Sequence, residues 1–117
     1  MKADRKKSYR KGRRAEQFAA LALQLKGYRI ISRRFKTPVG EVDLIARKHD
    51  LVLFVEVKAR ANQQMALDSV TTSAQRRIEA AGHWWLGQQR DAGLLNWRFD
   101  VVAIVPRRWP IHFENVW

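Results

Sequence analysis

Cysteine is absent from this 117-residue chain. Its absence excludes a disulfide framework and thiolate metal sites, and it is typical of a cytoplasmic protein, which we expect here. Long apolar runs are missing too, since no stretch approaches the roughly 20 residues of a membrane-spanning helix. The basic N-terminus is not followed by an apolar stretch with a small-residue cleavage site. We therefore expect neither a signal peptide nor a membrane partner.

Acidic residues are scarce. The chain has 11 Asp and Glu residues against 23 Lys and Arg residues, which gives a formal net charge of +12. A basic segment before a globular body is typical of a polyanion binder, and we expect nucleic acid, DNA in the first place, as the partner. A solvated tail without function is the alternative. The basic residues of the first 14 positions are Lys2, Arg5, Lys6, Lys7, Arg10, Lys11, Arg13 and Arg14.

The length fits one domain with its own core. We predict a flexible basic arm over residues 1–11 and a single domain over residues 12–117. Apolar spacing predicts these elements in order: a helix over 12–26 that Gly27 ends, strands over 28–36, 41–47 and 51–59, a loop over 61–67, a helix from Thr71 or Thr72 to about Gln89, a strand over 97–105, and a short edge strand near 109–113.

This order, α-β-β-β-α-β, predicts an α/β fold. The first three strands suit an antiparallel meander. The second helix is long enough to be the crossover that brings strand 97–105 parallel to strand 51–59. Helices then flank a mixed sheet.

Two of the predicted strands carry acidic residues where apolar ones are expected. If the chain turns tightly at His49-Asp50, pairing partners sum to 99, so Asp43 lies opposite Glu56. His-Asp is not a strong hairpin signal, and a longer loop would shift the register. Paired residues on strands have Cβ atoms about 4.5–5.5 Å apart, where like charges repel.

A divalent cation would remove this repulsion. Hard oxygen ligands suit Mg²⁺ or Mn²⁺. The same register places Lys58 opposite Glu41, on the face shared with Glu56. Lysine there can orient a water molecule or stabilise developing negative charge. The set is suited to metal-assisted phosphodiester hydrolysis.

These residues resemble a known nuclease superfamily. Asp43 followed by Glu56-Val-Lys58 on a neighbouring strand resembles the PD-(D/E)xK superfamily, whose core is the restriction-endonuclease-like α-β-β-β-α-β fold. Longer segments resemble the YraN-like bacterial family, which is called a predicted endonuclease by likeness to Holliday-junction resolvases. The segments that match are Gly12-Arg-Arg-Ala-Glu16, Gly27-Tyr28, Gly40-Glu-Val-Asp-Leu-Ile-Ala46, Val55-Glu-Val-Lys-Ala-Arg60 and Arg98-Phe-Asp-Val-Val-Ala-Ile104.

The resemblance implies roles for individual residues. Asp43 and Glu56 would hold metal, Lys58 would serve catalysis, and the helical Glu16 would be a further ligand. The sequence departs from the pattern in two places. Val42 stands where the superfamily name has proline. Relatives often place a lysine near the start of the second helix, where this chain offers only Arg76 or Arg77, with Gln75 as a weaker match to a helical glutamine.

We therefore predict a Mg²⁺- or Mn²⁺-dependent endonuclease acting on DNA, with structure-specific cleavage as one option. Two alternatives stay open. One is a non-catalytic nucleic-acid-binding module of the same fold. The other is an interaction protein that recruits a partner through its edge strand.

The remaining polar and aromatic candidates have weaker signals. Glu41 belongs either to the site or to a pair with Lys58. Asp100 lies inside an apolar strand, which favours a partnered structural role over catalysis. The histidines His49, His83 and His112 lack the spacing of a metal site and are interpreted as incidental. Trp109 and Trp117 are assigned to the core or tail, with base stacking or a homodimer contact as the alternative.

Overall fold

The computed structural model describes the backbone of residues 2–117 and the side chains of residues 12–117. The elements in chain order are helix α1 (Lys2–Leu25), strands β1 (Arg29–Thr37), β2 (Gly40–Lys48) and β3 (Leu51–Ala59), helices α2 (Gln63–Asp68) and α3 (Thr72–Gly87), a 3-10 turn (Ala92–Leu94), and strands β4 (Asn96–Ile104) and β5 (Ile111–Phe113). Helix α1 begins at Lys2, ten residues before the predicted start of the first helix at Gly12. The flexibility predicted for residues 1–11 stays a prediction, and their side chains lie outside the described residues.

The five strands form one sheet in the order β1-β2-β3-β4-β5. Strands β3 and β4 are parallel, and the other neighbours are antiparallel. The predicted mixed α/β sheet with its α-β-β-β-α-β order is confirmed, and so is the short edge strand. Among the helices of the described residues, none combines the length and apolarity needed to cross a bilayer.

A helix covers each face of the sheet. On one face, α3 packs Ile78, Ala81 and Trp85 against a cluster that includes Phe54 and Phe99. These helical positions are spaced three and four apart, as one face of a helix requires. On the other face, Ala19, Ala20 and Leu23 of α1 pack against Leu44, Ala46, Leu53, Val55 and Val102.

The two predicted chain reversals are confirmed. Gly27 has a φ of 95°, and Tyr28 N donates to Leu23 O at 3.1 Å, which satisfies a carbonyl at the end of α1. The β2–β3 hairpin turns at His49 and Asp50, with Lys48 paired to Leu51 and Leu44 to Val55. The predicted sum of 99 therefore holds along this ladder.

The prediction of a loop over residues 61–67 was wrong, because helix α2 occupies most of this segment. The Asn62 side chain accepts a hydrogen bond from Met65 N at 2.9 Å and caps the helix. Ala66 is fully buried against Ala103 and Val105. One small buried residue in a polar segment gives too little periodicity to be recognised.

Asp100 has the structural role that its apolar strand predicted. It is fully buried, and it accepts hydrogen bonds from Arg98 Nε at 2.9 Å and Asn115 N at 2.8 Å. His112 Nε2 lies 2.7 Å from its Oδ2. Burial alone would raise the pKa of Asp100, but the bonds to His112, Arg98 and Asn115 hold it below its usual value. Treating His112 as incidental was wrong, since it is a partner of this carboxylate.

The tail beyond β5 packs on the sheet. Val116 N donates to Phe99 O at 3.0 Å, and the Trp117 ring stacks on Phe99 with ring centroids 5.7 Å apart. Trp117 is therefore a tail residue that packs against the core, as assigned. Trp109 differs, because 53% of it is exposed, so it is not a core residue, and the alternative of a base-stacking or homodimer contact stays open for it.

Gly40 fixes the distance between β2 and α3. A Cβ atom placed at this position would lie 1.9 Å from the Arg77 backbone carbonyl oxygen. Backbone atoms cannot move aside as the end of a flexible side chain can, so only glycine permits this approach. The contact holds α3 beside the start of β2.

Replacing Gly40 by alanine should therefore destabilise the protein. We expect a loss of about 2 kcal/mol or more in the free energy of unfolding, because the added methyl group overpacks a backbone contact. Gly87→Ala is the matched control, since a methyl group at that position would have no neighbouring atom within 4 Å. Denaturant titration of both variants measures the difference, and equal stability would contradict the assigned contact.

Candidate functional site

The candidate site lies where β2 and β3 stop pairing. Their ladder runs from Lys48–Leu51 to Leu44–Val55 and ends there. Beyond it, the Val57 N–H donates to the Asp43 carboxylate Oδ2 at 2.8 Å. The predicted direct pairing of Asp43 with Glu56 and of Glu41 with Lys58 was thus wrong in one respect. The register is right, but a side chain replaces the backbone partner and the strands open.

An open cleft of about 500 Å³ occupies this end of the sheet, between α1 and α3. It collects the sequence-predicted residues from four separate elements. The lining residues are Gly12, Ala15 and Glu16 from α1, Glu41 and Asp43 from β2, Glu56, Val57, Lys58, Ala59 and the following Arg60 from β3, and Ala74, Arg77 and Ile78 from α3.

Asp43 and Glu56 form an electrostatically strained pair. Burial and the adjacent Asp43 carboxylate raise the pKa of Glu56 to about 9, although the Lys58 ammonium opposes this. Glu41 adds a smaller repulsion in the same direction. In the protonated form, the Glu56 carboxyl group can donate a hydrogen bond to Asp43. Two carboxylates that share one proton at neutral pH present a ready position for a cation.

Glu16 reaches the cleft as predicted, but it already has a cationic partner. Arg34 Nε donates to Glu16 Oε2 at 2.8 Å. Arg34 adopts a φ of 53° within β1, a conformation that costs a non-glycine residue of order 1–3 kcal/mol. This backbone twist brings the guanidinium toward α1. Sequence reasoning missed Arg34, because strand periodicity does not foresee a left-handed residue.

Cationic side chains line the same cleft. Lys58 is half-buried. Arg77 Nη2 lies 3.9 Å from Glu41 Oε1, so the ion pair of Glu41 is with α3 and not with Lys58. Arg60 was missed by sequence reasoning. It lies two residues beyond Lys58, so strand alternation would have placed it on the same side.

Several predicted contact residues lie elsewhere. Arg76 is exposed and does not line the cleft, and Gln75 donates to Val70 O at 3.3 Å. Arg13 and Arg14 are exposed on α1 next to the lining residues Gly12 and Ala15. The predicted phosphate contacts of the arm lie outside the described side chains, at Lys2, Arg5, Lys6, Lys7, Arg10 and Lys11.

Among the side chains of residues 12–117, no three His, Cys, Asp or Glu residues are grouped so that all could hold one metal ion. The site therefore offers two carboxylates, Asp43 and Glu56. Glu16 and Glu41 also line the cleft, but the ion pair with Arg34 engages one oxygen of Glu16, and Glu41 lies 3.9 Å from Arg77.

Comparison with known proteins gives a consistent family match. The model of the family described as "Uncharacterised protein family UPF0102" matches residues 15–104. A UPF0102 protein of Chelativorans sp. is 57% identical over 113 residues, which cover 97% of this chain and 91% of that protein. One of Mesorhizobium japonicum is 56% identical over 113 residues, covering 97% and 90%. One of Agrobacterium fabrum is 54% identical over 109 residues, covering 93% and 89%.

The raised pKa of Glu56 should make stability depend on pH. Between the ordinary value of 4.5 and about 9, the folded protein retains a proton that the unfolded chain has lost. The folded state then binds more protons, so the free energy of unfolding falls as pH rises through this window. We expect the melting temperature in metal-free buffer to decrease between about pH 5 and about pH 9.

Glu56→Gln should flatten that decrease, because a neutral amide cannot lose the proton. Glu79→Gln is the matched control, since Glu79 does not line the cleft, and it should keep the wild-type slope. Thermal melts of the three proteins across the pH range measure the effect. A Glu56→Gln slope equal to the wild-type slope would show that Glu56 does not titrate in this window.

Proposed function

The chain belongs to the family described as UPF0102, and from its cleft we propose that it is a Mg²⁺- or Mn²⁺-dependent endonuclease that hydrolyses phosphodiester bonds in DNA. The observation that carries the proposal is the carboxylate pair of Asp43 and Glu56 beside Lys58. The placement within the PD-(D/E)xK superfamily, and the likeness to junction resolvases, are part of the same proposal.

The carboxylate pair is costly for the protein alone. A buried ionised group without a partner is unfavourable, and Asp43 and Glu56 share that difficulty in one cleft. The neighbouring strand residues Leu44 and Val55 are apolar and buried. Asp43 has a structural contact through the Val57 N–H, whereas the pKa of Glu56 is strongly raised at its position. Such perturbed groups in a cleft are typical of functional sites.

The chemistry of the donor set suits Mg²⁺ or Mn²⁺. Mg²⁺ commonly keeps several waters and binds through one or two carboxylates together with substrate phosphates. Two protein carboxylates in an open cleft fit that pattern, whereas a closed four-ligand zinc site does not. Asp43 and Glu56 would hold the ion, and Glu16 would join them if its bond to Arg34 were exchanged. When bound, the metal ion would supply charge stabilisation at the phosphate and a more acidic water.

Each residue of the chain then has a distinct task. The Val57 N–H fixes the Asp43 carboxylate through Oδ2 and leaves Oδ1 for the cleft. Loss of the Glu56 proton prepares the second carboxylate. The Lys58 ammonium orients the attacking water and stabilises negative charge that develops on the phosphate oxygens.

The surrounding cations would position the substrate. Arg60 and Arg77 at the cleft, and the basic residues of α1, contact backbone phosphates in this proposal. Phosphate contacts give affinity and register but carry little sequence information. The predicted enzyme would therefore select its substrate mainly by shape.

Metal should stabilise the folded protein through this pair. At 100 times the dissociation constant, a ligand that binds only the folded state adds about 2.7 kcal/mol. We expect Mn²⁺ to raise the melting temperature of the wild type, more strongly as pH rises, and Asp43→Asn to lose most of the shift. Glu79→Gln should respond as the wild type does. Equal shifts in the Asp43→Asn variant and the wild type would remove this residue from the metal site.

Lys58 should act in the chemical step and not as a metal ligand, because an ammonium group cannot ligate a cation. Lys58→Met keeps most of the apolar stem and removes the charge. We expect it to retain the Mn²⁺-dependent melting shift and to slow single-turnover cleavage about 10²–10³-fold, the usual cost of one preorganised stabilising donor.

The cleavage assay uses single strands, duplexes, forks and four-way junctions in Mn²⁺. Wild-type cleavage rates in the Lys58→Met variant would exclude the lysine from the mechanism. If the wild type cleaves none of these substrates, the non-catalytic nucleic-acid-binding module becomes the better assignment.

A further inference from the structure

An exposed aromatic loop lies beside the cleft and is not used by the proposed chemistry. It connects β4 to β5 and consists of residues 106–110, Pro-Arg-Arg-Trp-Pro, which we call the PRRWP loop. Arg107 and Arg108 are exposed, and Trp109 is 53% exposed. Tryptophan is enriched at interfaces, because its ring system combines a large apolar surface with one polar N–H group.

The loop leaves the sheet at the cleft end. Strands β3 and β4 are parallel, and Ala59 pairs with Ile104. Arg60 N donates to Ile104 O at 3.1 Å, and both Ala59 and Arg60 line the cleft. The PRRWP loop begins two residues after Ile104. It therefore emerges from the strand end next to Arg60.

Helix α1 gives a second, independent measure of this proximity. The Trp109 and Phe18 rings form a T-shaped contact, with centroids 5.3 Å apart and planes at 90°. Phe18 follows the cleft-lining Ala15 by three residues, so the two lie on the same face of α1 about one helical turn apart. Trp109 thus lies at one end of the cleft, within reach of the same polymer.

The loop is held in one shape. Two prolines bound it, and each fixes its own φ. Arg108 N donates to Val105 O at 3.3 Å, Pro110 is buried, and the Trp109 ring packs against Phe18. A preformed loop loses little conformational entropy when it binds.

The charges of the loop select the kind of partner. Arg107 and Arg108 make no ion pair with the described residues. They directly precede Trp109 in the sequence. Exposed arginines beside an exposed aromatic face match a phosphate backbone and a base. In a continuous duplex the bases are stacked on each other, so only an unpaired base can meet the indole face.

We propose that the PRRWP loop binds a single-stranded segment of the substrate, with Trp109 stacked on an unpaired base and Arg107 and Arg108 on flanking phosphates. This inference rests on the proposed function for the identity of the polymer. It specifies the substrate class as nucleic acid with an unpaired stretch within a few nucleotides of the scissile phosphate.

The experiment separates stacking from phosphate contacts. Fluorescence anisotropy is measured in EDTA with labelled oligothymidylate and with an abasic oligonucleotide of the same length and charge. The wild type should bind oligothymidylate about 5- to 150-fold more tightly, the range that stacking of one base contributes. Trp109→Ala should lose this preference, and Trp109→Phe should keep much of it.

Trp97→Ala is the matched control. Trp97 is 44% exposed and lies at the start of β4, at the opposite end of the sheet from the cleft. It should keep the wild-type preference. Arg107→Gln with Arg108→Gln should weaken binding of both oligonucleotides equally. A thermal melt of Trp109→Ala reports any loss from the Phe18 contact, and Trp109→Phe tests the stacking role if that variant unfolds.

Three results would overturn the proposal. The first is a wild type without preference for bases over the abasic strand, and the second is a Trp109→Ala variant that keeps the preference. The third is a Trp109→Ala variant that turns a dimer into a monomer in sedimentation analysis while the preference stays, which would assign the surface to a second copy of the chain. Because binding is measured without metal, a protein that prefers oligothymidylate through Trp109 yet cleaves nothing would refute the nuclease and leave the single-strand contact of the PRRWP loop standing.

Discussion

The opening of β2 from β3 is the constraint on which the candidate site depends. A continuous ladder would press Asp43 and Glu56 into direct cross-strand contact and fill the space between the strands. Instead, the Val57 amide is satisfied by the Asp43 carboxylate at 2.8 Å. The part-buried Val57 N–H therefore keeps a hydrogen-bond partner, while the strands separate and leave a cleft. The Asp43 side chain thus ends the β2–β3 ladder and also lines the cleft that the separated strands leave.

The rest of the fold supports that opening from both faces. Helix α1 brings Glu16 and Ala15 to one side of the cleft, and α3 brings Arg77 and Ile78 to the other. Gly40 permits α3 to approach β2 until only a backbone hydrogen fits between them. Arg34 holds Glu16 through a strained backbone position. Strain of this kind persists only where the surrounding packing determines it. The ion pair of Glu16 with Arg34 therefore depends on the packing of both β1 and α1.

The fold could be predicted from the sequence because the signals that specify it, hairpin length and apolar spacing, lie in short segments of the chain. The pairing register followed from a two-residue hairpin at His49-Asp50, and the two helical faces followed from apolar spacing. The candidate residues Asp43, Glu56 and Lys58 were found for the same reason, since all three lie on adjacent strands. What escaped depends on contacts between distant parts of the chain. The Arg34–Glu16 pair, the role of His112 and the capped helix α2 are fixed by tertiary neighbours, which periodicity does not encode.

The Asp100 cluster has a consequence for the order in which the protein can form. This carboxylate lies at the centre of β4, but two of its partners, His112 and Asn115, come from the segment synthesised after that strand. Until they arrive, closing the sheet around Asp100 would bury an incompletely paired charge, which is unfavourable. The parallel β3–β4 pairing also needs the whole crossover first. Folding of the sheet should therefore stay reversible until His112 and Asn115 are available. The segment that carries these two residues completes the hydrogen bonding of Asp100 and stabilises the closed sheet.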